Sequence, residues 1–286
     1  MLVPALALML AQAAAPPQSA PPAEVLVTGE RDERRATREL LDAVSPHVAF
    51  DEPLPRFTET ICPGAIGLPA EAGQAIVDRI AEVAISLGLE TGAPGCAPNI
   101  LVAFVDDGSA FAGKLLARPS PAFASLTLAQ ARRVVAEPGA ARGWSAVETL
   151  SRDGEPMTPG LDSRPGDPLT LRVSTASRLS PPFRRDIRAS TVLIDRDAMA
   201  GRSLAQVADY AAMRTLADAR THAVAGRDTI LALFTPDGDR TAPAGLTAFD
   251  RGYLQGLYAG RGDLKSVMKQ GAIARRISQE READAD

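Results

Sequence analysis

Few residues in this chain are of types that carry reactions, and their spacing decides which reactions can be considered. Ser203 lies in Gly201-Arg202-Ser203-Leu204-Ala205, which approaches the nucleophile turn of α/β hydrolases but ends in Ala rather than Gly. Ser203 and Gln206 also have the spacing of a capping box, so the hydroxyl is expected to cap a helix instead of attacking a substrate. A serine triad would have to recruit His47 or His222, the only 2 histidines. Asp195 and Asp197 follow an apolar run, where phosphoryl-transfer enzymes present paired aspartates, yet Ala198 and Met199 extend no such motif. Asp106 and Asp107 also follow an apolar run, and one adjacent pair is too few oxygen ligands for a hard cation. No Walker-type loop, His-Glu-x-x-His helix or paired Cys-x-x-Cys element occurs. Arg184, Arg185 and Arg188 beside Phe183 read as a basic but solvated loop, and Arg261-Gly262-Asp263 as a short turn. No catalytic residue, metal ligand or cofactor site follows from these patterns.

Composition narrows the classes further. The 286 residues carry 35 acids against 31 bases, for a net charge of -4, so nucleic acid is not an expected partner. Leu2 to Leu10 is apolar and runs into Ala11-Gln12-Ala13, a small-x-small pattern that predicts a signal peptide over residues 1–15, cleaved after Ala13 or Ala15. That run is too short for a transmembrane anchor of about 20 residues. Periplasmic or secreted localisation is therefore expected. The only 2 cysteines, Cys62 and Cys96, then read as one disulfide formed in an oxidising compartment. Its loop contributes about 3 to 4 kcal/mol in the chain-entropy account.

The elements around these residues follow from periodicity. Residues 16–55 are expected to be linker and a solvated segment: Pro16 to Ala23 has little to bury, and Arg31 to Ala43 predicts a charged helix stopped by Pro46. Residues 56–260 are expected to form one globular domain, and 261–286 a terminal helix over Leu264 to Ile277 with a frayed acidic tail. Ile76, Ile80, Val83, Ala84 and Leu87 have helical spacing ahead of Gly88, and Ile100 to Val105 reads as a buried strand. Ser109 is expected to cap a short helix, and Thr127 with Gln130 to box another. Strands are expected at Gly143 to Leu150, Leu169 to Ser174 and Ala189 to Ile194, and a short strand or buried segment at Ile230 to Phe234. Leu204, Val207, Ala208, Ala211 and Thr215 form the inner face of the helix after Ser203, and Thr247 caps the next one. Strands and helices in this irregular order predict an α+β fold with a mixed sheet packed by helices.

Two resemblances add expectations. Glu24-Val25-Leu26-Val27-Thr28-Gly29-Glu30-Arg31 resembles the short extended segment near the mature N-terminus of many TonB-dependent outer-membrane receptors, over eight residues only. A short strand or ordered tail is the reading taken for it, with pairing to a partner's sheet edge as the alternative. Arg56 to Val105, with Cys62, Cys96 and Pro98-Asn99-Ile100-Leu101-Val102, resembles uncharacterised exported bacterial proteins. Ala208-Asp209-Tyr210-Ala211-Ala212-Met213, Leu246-Thr247-Ala248-Phe249-Asp250 and Leu257-Tyr258 are similar to a metzincin-like family of unknown function. In active metallopeptidases of that kind one helix supplies a His and a Glu together and a second His one turn later. Aligned on that helix, Ala208, Asp209 and Ala212 occupy those positions, so the resemblance implies a zincin-like fold without zinc ligands. It implies a non-enzymatic binding or scaffold protein that engages an envelope protein or peptide. The alternatives are a metal-independent envelope hydrolase using carboxylates or Ser203, and an accessory factor for outer-membrane machinery acting through Glu24 to Arg31.

Overall fold

Alternate residues of Ile100–Val105 point to opposite sides of one sheet, and both sides are buried. Ile100, Val102 and Phe104 enter the larger apolar core, while Ala103 enters a smaller one with Ala112, Phe123, Ala131, Val134, Trp144 and Leu193. In this computed structural model, which describes residues 24–118, 120–160, 163–164, 167–173, 180–236 and 242–285, that strand is β2. The others are β1 (Pro63–Ile66), β3 (Ala141–Ser151) and β4 (Phe183–Asp195), in the order β1-β2-β4-β3. The first three in that order run parallel and β3 is antiparallel to β4, which makes a mixed sheet and an α+β fold. The expected signal segment and the linker Pro16 to Ala23 lie outside the described residues.

The helices are α1 (Glu24–Val44), α2 (Ala70–Ser86), α3 (Gly108–Ala117), α4 (Leu128–Ala136), α5 (Leu204–Leu216), α6 (Ala248–Tyr258) and α7 (Ser266–Ala285). The larger core collects side chains of α2, α5, α6 and α7; the smaller collects those of α3 and α4. Trp144 anchors the latter, donating from Nε1 to Ala122 O at 2.8 Å and meeting Phe123 edge to face. The disulfide joins Cys62 to Cys96, tying the segment before β1 and α2 to the approach of β2. Asn99 straps the same joint, accepting from Cys62 N at 2.8 Å and donating to Thr60 O at 2.9 Å.

Several expectations are corrected. Glu24 to Arg31 is not extended: it forms the first turns of α1, because propagation from the charged helical stretch behind it outweighs the β-branched Val25, Val27 and Thr28. The compact unit starts at Thr37, and Leu40, Leu41, Val44 and Leu54 are buried in the segment expected to be solvated. Asp107, not Ser109, caps α3, accepting from Ala110 N at 2.8 Å. Within Leu169 to Val173 only Thr170 forms a bridge, to Thr158; Ser174 lies outside the described residues. Leu204 is exposed, and α5 is instead buried all round from Val207 to Leu216. Ile230 to Phe234 is a buried 3-10 turn.

The basic run is strand, not loop. Pairing passes from Ala146 opposite Ala189 to Val147 opposite Ile187, which leaves Arg188 as the extra residue of a bulge. The bulge resets the alternation, so Ile187 faces the same core as Val192 and Ile194 despite its odd spacing. The acidic tail is also held: α7 continues to Ala285, and Arg251 pairs with Glu280 at 3.1 Å and Asp284 at 2.6 Å.

Candidate functional site

The helix on which the metallopeptidase resemblance rests is α5, and its start is fixed locally. Ser203 Oγ accepts from Gln206 N at 3.1 Å while Gln206 Oε1 accepts from Ser203 N at 3.0 Å, completing the capping box. This employs the hydroxyl of the elbow-like motif. Farther along, Ala208 and Ala212 are 1% and 0% exposed, their methyls packed into the larger core. Neither offers a lone pair to a metal. Asp209 between them is 3% exposed and accepts from Arg79 Nε at 2.7 Å and from Leu246 N at 3.0 Å. Gly245 permits this approach, since a Cβ there would stand 2.7 Å from Asp209 Oδ2. The Arg79 guanidinium is held more firmly protonated by its hydrogen bond to Asp209, with burial acting against it. Asp209 is thus a tie between α2, α5 and the approach to α6.

The far end of α5 carries a polar cluster that sequence reasoning missed. Arg214 Nη2 donates to Glu137 Oε1 at 2.5 Å and to Gly143 O at 3.4 Å, and Nη1 donates to Ala219 O. Glu137 Oε2 accepts from Gly143 N at 3.1 Å, and Thr221 Oγ1 donates to Glu137 Oε1 at 2.8 Å. The acid and base together occupy the backbone hydrogen-bonding groups of Gly143 on edge strand β3. Burial opposes the Arg214 charge, but Glu137 and Tyr210 beside it hold its pKa above the usual value. Burial also pushes the Tyr210 phenol up.

Immediately after α5, Asp218 and Ala223 have φ of 48° and 59°, the only left-handed non-glycine residues among those described. They bracket a loop carrying Arg220, Thr221 and His222. Burial pushes the Asp218 carboxyl up, against a hydrogen bond from Ser145, whose Oγ lies 3.0 Å from Ser190 Oγ. Arg220 holds the end of α1 through Asp42 O and Ser45 O, and its Nη1 meets His47 Nε2 at 2.5 Å. The His47 pKa is lowered, first by Arg220, then by burial, Arg133 and His222. The two histidines therefore share one cationic neighbourhood at this end. Ser203 is at the opposite end of a 13-residue helix, about 20 Å away, so the elements of a triad do not converge.

The two aspartate pairs do meet, where β2 and β4 end side by side with Val105 opposite Asp195. Three of these four acids, Asp106, Asp107 and Asp195, have a local donor. Asp107 caps α3, Asp195 Oδ1 accepts from Gly108 N at 2.6 Å, and Asp106 lies 2.9 Å from Arg196. Among the described residues no group of three or more His, Cys, Asp or Glu side chains is arranged to hold a metal ion. Arg261 and Asp263 form a 2.5 Å ion pair within their turn. Comparison with protein-family models, with curated proteins and with solved structures finds no match to this chain.

Proposed function

We propose that this chain is an exported, non-enzymatic binding or scaffold protein of the cell envelope, built on an inactive metallopeptidase-like domain. The observation that carries the reading is the state of α5: buried methyls at Ala208 and Ala212, and Asp209 tied to Arg79 and Leu246 N. The metzincin spacing puts a third ligand six residues after the second, which is Asp218 here. Its carboxyl is turned toward Ser145 and Arg214. A zinc ion does not fit this donor set. The Cys62–Cys96 disulfide supports an oxidising compartment, and no described helix is long and apolar enough to cross a membrane. A partner of this domain is an envelope protein or peptide.

Activity screens test the reading. Mature protein should be inactive on peptide and ester substrates, with and without chelator. Turnover that chelation and Asp209→Asn both abolish would overturn the scaffold reading, and turnover lost in a folded Ser203→Ala variant would transfer the function to the hydrolase alternative.

A further inference from the structure

Arg56, Arg184 and Asp186 share one end of the sheet because Arg56 extends it beside β4. Its amide donates to Arg185 O at 3.2 Å and its carbonyl accepts from Ile187 N at 2.9 Å. The Arg56 side chain closes the C-terminal end of α6, donating from Nη1 to Tyr258 O and Gly260 O, each at 3.1 Å. Asp186 Oδ2 accepts from Thr58 Oγ1 at 2.5 Å and lies 3.1 Å from Arg184 Nη2. These bonds leave Arg56 Nε, Arg184 Nε and Asp186 Oδ1 buried with no hydrogen-bond partner.

Positive charge is in excess around those atoms. Arg152 and Arg261 lie 2.7 and 2.5 Å from Asp263, and Lys269 donates to Ala259 O at 2.7 Å. Arg56, Arg152, Arg184, Arg261 and Lys269 thus gather around Asp186 and Asp263. Burial, and then Arg56, lowers the Lys269 pKa to about 8, in keeping with a cationic surrounding. Two glycines let the chain pass close against the guanidinia: a Cβ at Gly262 would stand 2.8 Å from Arg56 Nε, and one at Gly154 would stand 3.0 Å from Arg184 Nη2.

We propose that this end of the sheet seats a small oxyanion that carries a proton, with inorganic phosphate as its chemical type. Two orphan N–H groups need acceptors, while the Asp186 carboxylate oxygen needs a donor. Hydrogen phosphate offers both; fully ionised sulfate offers only acceptors. A phosphate monoester, whose second ionisation falls near 6, has lost its proton at a pH of about 7.5.

The side-chain Nε–H signals of Arg56 and Arg184 in nitrogen-15 NMR read the site directly. Full-length mature protein is titrated with inorganic phosphate, sulfate and glycerol phosphate at equal ionic strength and a pH of about 7.5. Both signals are expected to shift saturably with phosphate, and sulfate and the ester to bind at least about tenfold more weakly. Asp186→Asn, whose amide can donate, should reverse the preference between phosphate and sulfate. Arg152→Gln, at the more exposed rim, should weaken phosphate without unfolding the protein. Unmoved signals would overturn the proposal and leave these atoms to water. Equal response of the wild-type protein to phosphate and sulfate, or to phosphate and the ester, would overturn the requirement for a proton.

Discussion

The Asp209 carboxylate spans two neighbours at once, taking Arg79 Nε at 2.7 Å and Leu246 N at 3.0 Å. If it is a structural tie, Asp209→Ala should destabilise the protein by about 2 to 4 kcal/mol, because a buried amide and a guanidinium lose their acceptor together. Arg79→Ala should cost less, since Arg79 is 40% exposed and keeps access to water. Chemical denaturation of the two variants gives the comparison. A larger loss for Arg79→Ala would contradict the tie.

Glu137 and Arg214 are the more costly pair to break. Arg214→Met should destabilise by about 3 to 5 kcal/mol, leaving Glu137 half-buried beside an uncompensated edge strand. Arg214→Lys should rescue little, because one ammonium cannot reproduce the links to Glu137, Gly143 O and Ala219 O. Measured coupling in a Glu137→Gln, Arg214→Met double-mutant cycle should exceed about 1 kcal/mol; additive effects would refute a direct pair.

The contact of α6 with α7 depends on two glycines. A Cβ at Gly252 would lie 2.5 Å from Ile277 Cα, and one at Gly256 would lie 2.6 Å from Ile273 Cα. Both obstacles are backbone atoms or lie next to them, so α6 and α7 would have to separate. Gly252→Ala and Gly256→Ala should each lose about 1 to 3 kcal/mol. Gly113→Ala in α3, where nothing lies within 4 Å, should be neutral or gain up to about 1 kcal/mol. Thermal melts that rank Gly113→Ala below the other two would contradict this packing.

Asp250 predicts an unusual pH dependence. Burial pushes its carboxyl up to about 6, although Thr229 Oγ1, Ile230 N and Thr247 all donate to it. A raised acid binds its proton in the folded state before the unfolded chain does. The folded state therefore gains stability as pH falls from about 6 to about 4, on the order of 3 kcal/mol from this group. Unfolding free energies measured across that window should show the gain in wild-type protein and not in Asp250→Asn. A wild-type slope of opposite sign relative to the variant would contradict it.

Much of the fold was legible where local signals agreed. The apolar run of β2, the Gly88 stop after α2 and the boxes at Thr127 and Ser203 needed only short-range chemistry, and each is present. The first half of β4 was not legible, because the bulge at Arg188 shifts its alternation and its charges find partners remote in sequence, such as Glu52 and Glu59. The C-terminal turns of α7 were hidden for a similar reason: their acids look solvated until Arg251 is brought beside them. The Glu137–Arg214 cluster left one faint trace, a cation at Arg214 directly after the apolar Ala211, Ala212 and Met213. Asp218 left none, since its left-handed backbone and its bond to Ser145 depend on the assembled sheet.

The most direct test of the inactive-domain account is zinc stoichiometry. Mature protein, purified without chelator, is equilibrated with zinc, passed through a desalting column and measured for bound metal by mass spectrometry, alongside Asp209→Asn and Asp218→Asn. The account predicts far less than one zinc per chain, with no difference among the three proteins. One tightly held zinc per wild-type chain, lost in Asp209→Asn or Asp218→Asn variants that remain folded, would contradict it.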